Sequence, residues 1–308
     1  MADVPVTTTT AAPFIPEVWG QKAVGKIAGT LMLGNAVARD FAAFPQEVGD
    51  IVNVPVVGAI TSGLKASGGD LEAQAPADAT VQVTLNKHRY ASFMVPDEVT
   101  SEAMADPLVK YVEAAAVQIA EDMEIDGLTA AYTGFTTNAV GAAGTAFTEA
   151  NFLLLRQALA IAKVPQGMPK YAFLHPKAVT TALGIARLSE ADKLGITEGP
   201  IREGAIGKLH GFIVVESQYV VETTGPTAQH NVLLGREGMT LAMRPLKAPR
   251  SPGVATYVAS GVAGSPTEGI GVRVTMAYDI RKGGDRCNVE ALYGWKVLRE
   301  TFGAHYTT

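Results

Sequence analysis

The sequence predicts an α+β protein with an extended β-hairpin loop, and three stretches carry this prediction. Residues 49–96 place two β-branched runs around a middle that is rich in Gly, Pro and Asp. Residues 107–134 repeat apolar side chains at the three-to-four spacing of an amphipathic helix. Residues 271–297 alternate with the period of two that is typical of strands.

The predicted hairpin (residues 49–96) is the most informative stretch. Its strands are expected at residues 51–57 and 81–85, and the second strand is expected to continue to residues 93–95. The middle of the hairpin has almost nothing large to bury, and an isolated two-stranded hairpin is only marginally stable in water. We therefore expect something else to cover it, as in a chain that is built to assemble.

The N-terminal part divides into a tail and a helix. Residues 1–13 are rich in Thr, Ala and Pro and lack any helical or strand period, so we expect them to be disordered in a lone chain. A first helix is predicted from Pro16, a residue that suits the first helical position, to Gly34–Asn35. Its apolar face contains Trp19, Ala23, Ile27 and Leu31.

The clearest helix follows the predicted hairpin. Asp106 is a good N-cap, Pro107 suits the first helical position, and the pattern ends at Gly134. From Pro107 to Tyr132 the helix would be roughly 39 Å long at about 1.5 Å per residue, which is long for a globular helix. We call it the spine helix. Its apolar face contains Leu108, Val112, Ala115, Ile119 and Met123, and acidic side chains cover its other faces.

The remaining sequence predicts an α/β region and two C-terminal strands. Residues 136–148 form a Gly-, Ala- and Thr-rich linker that we interpret as a domain boundary. Helices are predicted at residues 149–163 and from Pro176, strands at 171–174, 212–215, 232–234 and 240–243, and a loop at 245–266. Residues 272–276 and 289–297 are expected to pair around the turn at 282–285 and to return to the spine helix.

The composition excludes several classes of protein. A formal net charge of −5, with no Lys/Arg run longer than a pair, gives no electrostatic footprint for sequence-independent nucleic-acid binding and leaves only a local basic face open. The single cysteine, Cys287, excludes an intrachain disulfide and a Cys-cluster metal site, and it favours a reducing cytoplasm. The sequence contains neither eighteen consecutive apolar residues nor a secretory signal pattern, so we expect no membrane association.

The sequence holds no recognisable catalytic set, so we expect neither an enzyme nor a cofactor or metal site. The five histidines are scattered without His-x-x-x-His spacing, and no Gly-x-Ser-x-Gly motif occurs. Residues 204–211 lack the Gly-Lys-Ser/Thr ending of a phosphate loop and precede a strand. Lys65 has the chemistry to form an inter-subunit isopeptide bond in a desolvated pocket, but a solvated or salt-bridging lysine is favoured.

An ordered set of short segments resembles a known protein family. The set consists of FIPEVW at 14–19, GDIVNVP at 49–55, MVPDE at 94–98, the spine helix, LAIAKVP at 159–165, GAIG at 204–207 before GFIVV at 211–215, and LYGW at 292–295. Together these segments resemble the tailed-bacteriophage major capsid proteins of the Hong Kong 97-type fold, over nearly the whole chain. The order of the set carries the resemblance, since no single motif is diagnostic.

The resemblance implies a division of the chain and a function. It implies an N-terminal arm with the first helix (1–45), an extended loop (46–96), a peripheral domain with the spine helix (97–135), an axial domain (136–270) and C-terminal strands that return to the peripheral domain (271–308). Such proteins assemble as hexamers and pentamers into an icosahedral shell that encloses double-stranded DNA, in a virion built in the bacterial cytoplasm.

The resemblance also implies partners. The chain starts without a long charged helical segment, so either a separate scaffolding protein guides assembly or such a segment is removed, and Met1 at the first position favours the former. A portal and a possible decoration protein are also expected. The loop is expected to lie on a neighbouring copy. The residues expected at inter-subunit contacts are Trp19, Lys65, Gly68, Gly69, Asp70, Leu71 and Glu72.

Two alternative functions stay open. The first keeps the fold and is an encapsulin-like compartment shell that binds cargo enzymes. The second is an oligomeric α/β enzyme centred on residues 149–243, which a deep pocket holding a histidine with a carboxylate would support.

Overall fold

The computed structural model describes residues 16–39, 51–56, 60–65, 67–68, 70–71, 73, 75, 78–102, 108–185, 207–225, 227–249, 254–261 and 267–308. The side chains of residues 16–19, 100, 102 and 109 are outside this description. The sequence predictions that fall outside it include the disordered tail (1–13) and the helix start at Asp106 and Pro107. The described residues form a two-stranded, a five-stranded and a seven-stranded sheet. Of two large hydrophobic cores, one contains residues of both larger sheets and the other lies on the seven-stranded sheet.

Two N-terminal helices, α1 (Pro16–Thr30) and α2 (Met32–Ala36), replace the single helix predicted to reach Gly34–Asn35. The break lies at Leu31, whose backbone is extended (φ −78°, ψ 90°) and whose side chain is fully buried. The break turns the N–H of Leu33 toward the spine helix. The prediction of one helix was wrong because apolar spacing continues across Leu31 and does not report a local change of backbone.

The predicted hairpin is formed at its base, where its two strands pair. Strands β1 (Ile51–Val56) and β2 (Ala79–Thr84) pair antiparallel with Ile51 opposite Thr84, which confirms the predicted pairing of the two runs. We call residues 51–84 the arm. The inward side chains of the two strands, Val52, Val54 and Val83, form a small core with Leu85, which follows β2, and with Ala242.

Strand β3 (Lys87–Pro96) corrects the prediction that the hairpin continues to residues 93–95. It leaves the arm and pairs antiparallel with the C-terminal strand β13 (Gly284–Val297), from Lys87 opposite Tyr293 to Pro96 opposite Gly284. Only residues 85–86 separate β2 from β3, and the strand pattern runs on across them. Sequence periodicity could not show this change of partner.

The spine helix is α4 (Leu108–Gly134), which ends where the sequence predicted, and it follows the short helix α3 (Asp97–Glu102). Two glycines allow its close packing. A Cβ at Gly127 would lie 2.7 Å from Leu33 Cδ2 and 2.8 Å from the ring of Trp295, and a Cβ at Gly134 would lie 2.5 Å from Val297. The helix backbone therefore lies directly against α2 and β13.

The first sheet is antiparallel and is built around β13. Strands β10 (Met239–Arg244) and β12 (Gly271–Asp279) pair with β13, and β11 (Ala255–Ser260) pairs with β12. The pairing of β12 and β13 around residues 280–283 confirms the predicted C-terminal strands. The predicted loop at 245–266 was wrong over β11, where Ala259 joins the main core and Tyr257 packs against it.

The second sheet has the order β4 (Ala139–Gly141), β14 (Gly303–Thr307), β9 (Ala228–Gly235), β5 (Lys170–Leu174), β7 (Phe212–Glu216) and β6 (Lys208–Leu209), and β8 (Glu222–Thr223) pairs with β9. Helices α5 (Glu149–Ile161) and α6 (Pro176–Leu183) contribute Phe152 and Ala182 to its core. This is the predicted α/β region.

Strand pairing crosses the predicted domain boundaries, which stay predictions. β10 and β11 lie in the first sheet, although the sequence assigned residues 136–270 to one axial domain. β14 lies in the second sheet, although residues 271–308 were expected to return together to the peripheral domain. β4 pairs with β14 inside the predicted linker at 136–148. These strands are short, and their long-range pairing decides where they belong.

Replacing Gly127 with alanine tests the close packing of the spine helix. The added Cβ would overlap Leu33 and Trp295. We expect Gly127→Ala to destabilise the fold by about 1–3 kcal/mol, the usual cost of overpacking. The midpoint of thermal unfolding measures this loss.

Gly25→Ala in α1 is the matched control. Among the described residues, no atom outside the α1 backbone and the two chain neighbours lies within 4 Å of a Cβ at Gly25. Alanine should stabilise this helical position by about 0.5–1 kcal/mol. A Gly127→Ala protein that unfolds at or above the wild-type temperature would contradict the packing described here.

Candidate assembly surfaces: the arm and its root

The described part of the arm beyond β1 and β2 is exposed. Ile60, Leu64 and Leu71 are 67%, 102% and 81% exposed. Leucine side chains this exposed have no partner among the described residues of the same chain. Grouped apolar exposure of this kind marks an interaction surface.

The structure brings only some of the predicted contact residues into view. Lys65, Asp70 and Leu71 are exposed on the arm, and Gly68 has φ +80°, which favours glycine in this turn. Trp19 lies in α1, but its side chain is outside the described residues. Gly69 and Glu72 are also outside them.

One carboxylate of the spine helix ties the first residues of β3, which follow the arm, to β13. The Tyr293 hydroxyl donates to Asp126 Oδ2 at 2.6 Å, and the Arg89 guanidinium donates to the same oxygen at 3.1 Å. The Lys87 ammonium lies 3.6 Å from Asp126 Oδ1. β13 and the first residues of β3 are thereby tied to the spine helix directly below the arm. We call Lys87, Arg89, Asp126 and Tyr293 the root cluster.

The root cluster keeps Asp126 ionised. Burial opposes ionisation, but the hydrogen bonds from Tyr293 and Arg89 and the charges of Arg89 and Lys87 outweigh it and hold the pKa of Asp126 below its usual range. The pKa of Tyr293 is raised by burial and by its bond to Asp126. The root is therefore a charged, hydrogen-bonded anchor.

Backbone contact completes the root. A Cβ at Gly294 would lie 2.1 Å from the carbonyl oxygen of Thr84, so only glycine lets the end of β2 approach β13 this closely. The Trp295 indole N–H donates to the carbonyl of Met123 at 3.1 Å. The sequence showed only that acidic side chains cover the faces of the spine helix away from its apolar face, and this pattern does not single out Asp126. The alternation of Lys87 and Arg89 directly after the arm was the available signal.

The histidines give two clusters that the sequence did not reveal. His230 Nδ1 lies 2.9 Å from His305 Nε2, and the ring of Tyr132 at the end of the spine helix stacks on His230 at 4.4 Å. Burial lowers the pKa of His230, and burial together with His230 lowers the pKa of His305 to about 4. This pair joins β9 and β14 to the spine helix as a neutral, packed contact.

The second cluster lies beside a groove on α5. His210 Nε2 lies 3.1 Å from Glu149 Oε1, and a groove of about 460 Å³ is lined by His210, Arg156, Lys170 and apolar residues of α5. The lining residues include no Ser, Thr or Cys that could act as a nucleophile. Glu149 lies in the first turn of α5, so its bond to His210 holds the turn before β7 against this helix.

The described residues contain no group of three or more His, Cys, Asp or Glu side chains that could hold a metal ion. Cys287 is buried in β13, and burial raises the pKa of its thiol to about 11. No helix in the described ranges is long and apolar enough to cross a membrane.

Comparison with known proteins supports the fold through structure rather than sequence. No protein-family model matches the chain, and no curated protein matches it. A structure from Mycobacterium phage Che8 is 19% identical over 90% of each chain, with a TM-score of 0.66. The capsid structure of the cyanophage P-SCSP1u is 13% identical over 84% of this chain and 83% of that chain, with a TM-score of 0.59.

A third likeness comes from an archaeal source. The crystal structure of a virus-like particle from Pyrococcus furiosus is 10% identical over 94% of this chain and 96% of that chain, with a TM-score of 0.50. The likenesses to phage structures extend over most of each chain. The protein therefore has the tailed-phage major capsid fold that the sequence resemblance implied, and it is an α+β protein as predicted.

The charged root can be tested by removing one charge. Asp126→Asn keeps the shape of the side chain but removes its charge. Asp122, whose Oδ2 lies 3.7 Å from the Arg89 guanidinium, then remains as the carboxylate beside Arg89. We expect a loss of about 1–3 kcal/mol at pH 7, the usual contribution of a hydrogen bond to a charged group. Thermal unfolding midpoints of the two proteins give the comparison.

The same substitution predicts a change in pH dependence. Because the folded-state pKa of Asp126 lies below the ordinary value of 3.8, its contribution is present above pH 3.8 and is lost as pH falls through the lower folded value. The Asp126→Asn protein should therefore lose less stability than wild type between pH 5 and pH 2. Parallel acid curves for the two proteins would show that Asp126 does not anchor the root.

Proposed function

We propose that the chain is the major capsid protein of a tailed bacteriophage, which self-assembles as hexamers and pentamers into an icosahedral shell around double-stranded DNA. The observation that carries the proposal is the arm: it is paired at its base, where Thr84 lies against Gly294 of β13, and it exposes Ile60, Leu64 and Leu71 beyond β1 and β2. A folded subunit gains from such a segment only when another molecule covers it.

The most direct partner is another copy of the chain. Fully burying a Leu or Ile side chain contributes about 1.5–3 kcal/mol, so the three exposed apolar residues of one arm make a substantial contact. In this proposal residues 66–79 lie on a neighbouring copy, and the contact residues are those predicted from the sequence: Trp19, Lys65, Gly68, Gly69, Asp70, Leu71 and Glu72. Repetition around a closed shell multiplies each contact.

The wider assembly follows from the same proposal. A separate scaffolding protein guides shell closure, a portal occupies one vertex, and double-stranded DNA fills the interior; a decoration protein is an optional outer partner. The subunit assembles in the host cytoplasm and resides in the virion capsid. Its role is structural, with no catalytic step.

The compartment alternative shares the fold and differs in what the shell contains. The virus-like particle from Pyrococcus furiosus has a lower TM-score than the two phage structures, 0.50 against 0.66 and 0.59, so the likenesses do not favour the alternative. Particles purified from the natural source separate the two functions, because a phage shell yields double-stranded DNA and a compartment yields an enclosed enzyme.

The enzyme alternative called for a deep pocket that holds a histidine with a carboxylate. The His210–Glu149 pair is a histidine with a carboxylate of this kind. The pair is explained by its contact between α5 and the turn before β7, and the described residues that line the adjacent groove include no Ser, Thr or Cys. The proposed function therefore stays structural.

Charged substitutions on the arm test the shell function. Leu64→Asp and Leu71→Asp place a carboxylate where a neighbouring copy would bury a leucine. We expect each variant to fold with an unchanged unfolding midpoint, because both side chains are exposed in the single chain. Closed particles in negative-stain images should fall at least about tenfold, since about 1.4 kcal/mol corresponds to a factor of ten.

Ser62→Asp is the matched control, because it adds the same charge to an exposed polar position of the same arm without removing an apolar side chain. It should assemble as wild type does. Normal yields of closed shells from both leucine variants would remove the arm from the assembly mechanism and leave the proposal without its main support.

A further inference from the structure

The spine helix contains a carboxyl group that is buried without a counter-charge. Glu124 is 1% exposed, and its Oε1 accepts a hydrogen bond from the N–H of Leu33 at 2.7 Å. Its other oxygen, Oε2, is buried and has no hydrogen-bond partner among the described residues. A buried polar atom without a partner costs free energy and calls for an explanation.

Glu124 lies where α2 packs against the spine helix. Leu33 lies just after the break between α1 and α2, and no side chain caps the start of α2. One turn further along the spine helix, Gly127 lies against Leu33 and the indole of Trp295. Glu124 is thus the polar contact of a joint that is otherwise apolar.

The groups around Glu124 cannot neutralise a negative charge. The titratable groups that face it are Glu121, one turn earlier on the same helix, and Tyr219, whose hydroxyl donates to Glu121 Oε1 at 2.9 Å. From α2 the facing residue is Leu33, and β13 brings Trp295 to the neighbouring turn. Burial, opposed by the Leu33 hydrogen bond, raises the pKa of Glu124 to about 8.

We propose that Glu124 makes the seating of α2 on the spine helix a proton-controlled joint, closed when the carboxyl is protonated and opened by water when it is ionised. The movement is local. Ala38 is fixed beyond α2, where its N–H donates to the Arg236 carbonyl and its own carbonyl accepts from the Thr240 hydroxyl. Opening therefore involves residues 31–37, between α1 and this anchor.

The sign of the effect follows from the raised pKa. Between about pH 4.5 and about pH 8 the unfolded chain has lost this proton while the folded chain keeps it, so stability falls as pH rises through this range. Above about pH 8 both states are ionised and the dependence levels off. The inference concerns the folded chain itself, so it holds or fails independently of shell assembly.

Tryptophan fluorescence can report on the contact between α2 and the spine helix. It contains two tryptophans, Trp19 and Trp295, so a Trp19→Phe protein leaves Trp295 as the only one. In this background we expect the Trp295 fluorescence to change with a midpoint near pH 8. Hydrogen exchange of amides 31–37, corrected for intrinsic base catalysis, should lose about tenfold in protection between pH 6.5 and pH 9.5, while amides of α5 keep theirs.

Two substitutions separate Glu124 from its neighbours. Glu124→Gln keeps an acceptor for the Leu33 N–H and cannot ionise, so it should abolish both pH transitions. Glu121→Gln removes the adjacent carboxylate and should leave the transition near pH 8 in place.

Several outcomes would overturn the proposal. If the transition near pH 8 persists in Glu124→Gln, it belongs to another group. If the transition is lost in Glu121→Gln, it belongs to the contact between Glu121 and Tyr219. If Glu124→Gln fails to fold, the wild-type exchange measurement decides alone: unchanged protection of amides 31–37 up to pH 9.5, relative to α5, means that the joint does not open.

Discussion

The pairing of β13 is the constraint on which the rest of the structure depends. This one strand pairs with β3 along one edge and with β12 and then β10 along the other, so it joins segments from distant parts of the sequence. It also carries Gly294 and Trp295, which contact the end of β2 and the spine helix. A slip of one residue would turn every side chain of β13 to the opposite face and would break all of these contacts at once.

This constraint gives the arm a fixed base and a free tip. At the base, β13 supplies Tyr293 and β3 supplies Lys87 and Arg89, and all three reach Asp126. Toward the tip the side chains become exposed and apolar, as at Leu64 and Leu71. A polar, specific anchor sets the direction of the segment, and an apolar surface supplies the free energy for contact. The same division suits a subunit that must reach a neighbour at a defined angle.

Sequence reasoning succeeded where a pattern is long and periodic, and it failed where long-range pairing decides. The spine helix and the strands β12 and β13 each show many repeats of one period, so their type was predictable. β4 and β14 are short, and each is recognisable as a strand only from its pairing. β4 pairs with β14, and β14 also pairs with β9. β3 continues the alternation of β2, and a change of partner leaves no local trace in the residues.

The acidic residues of the spine helix could not be told apart from the sequence either. Glu124 and Asp126 look alike in the sequence, as two acidic residues on an amphipathic helix. Residues two apart on a helix do not share a face, and here each meets a different environment. Asp126 meets two cations and a tyrosine hydroxyl, whereas Glu124 meets one backbone N–H and apolar side chains. Only packing against other elements distinguishes them.

The two carboxyl groups therefore act in opposite senses on the two extensions of the chain. Asp126 must be ionised to hold the arm root, and the lowered pKa keeps it so down to acid pH. Glu124 must be protonated to hold α2, and the pKa near 8 keeps it so at neutral pH. Neutral pH is the range in which both contacts are made together. Acid weakens the arm root first, and alkali weakens the N-terminal joint first, because one helix carries both groups in different protonation states.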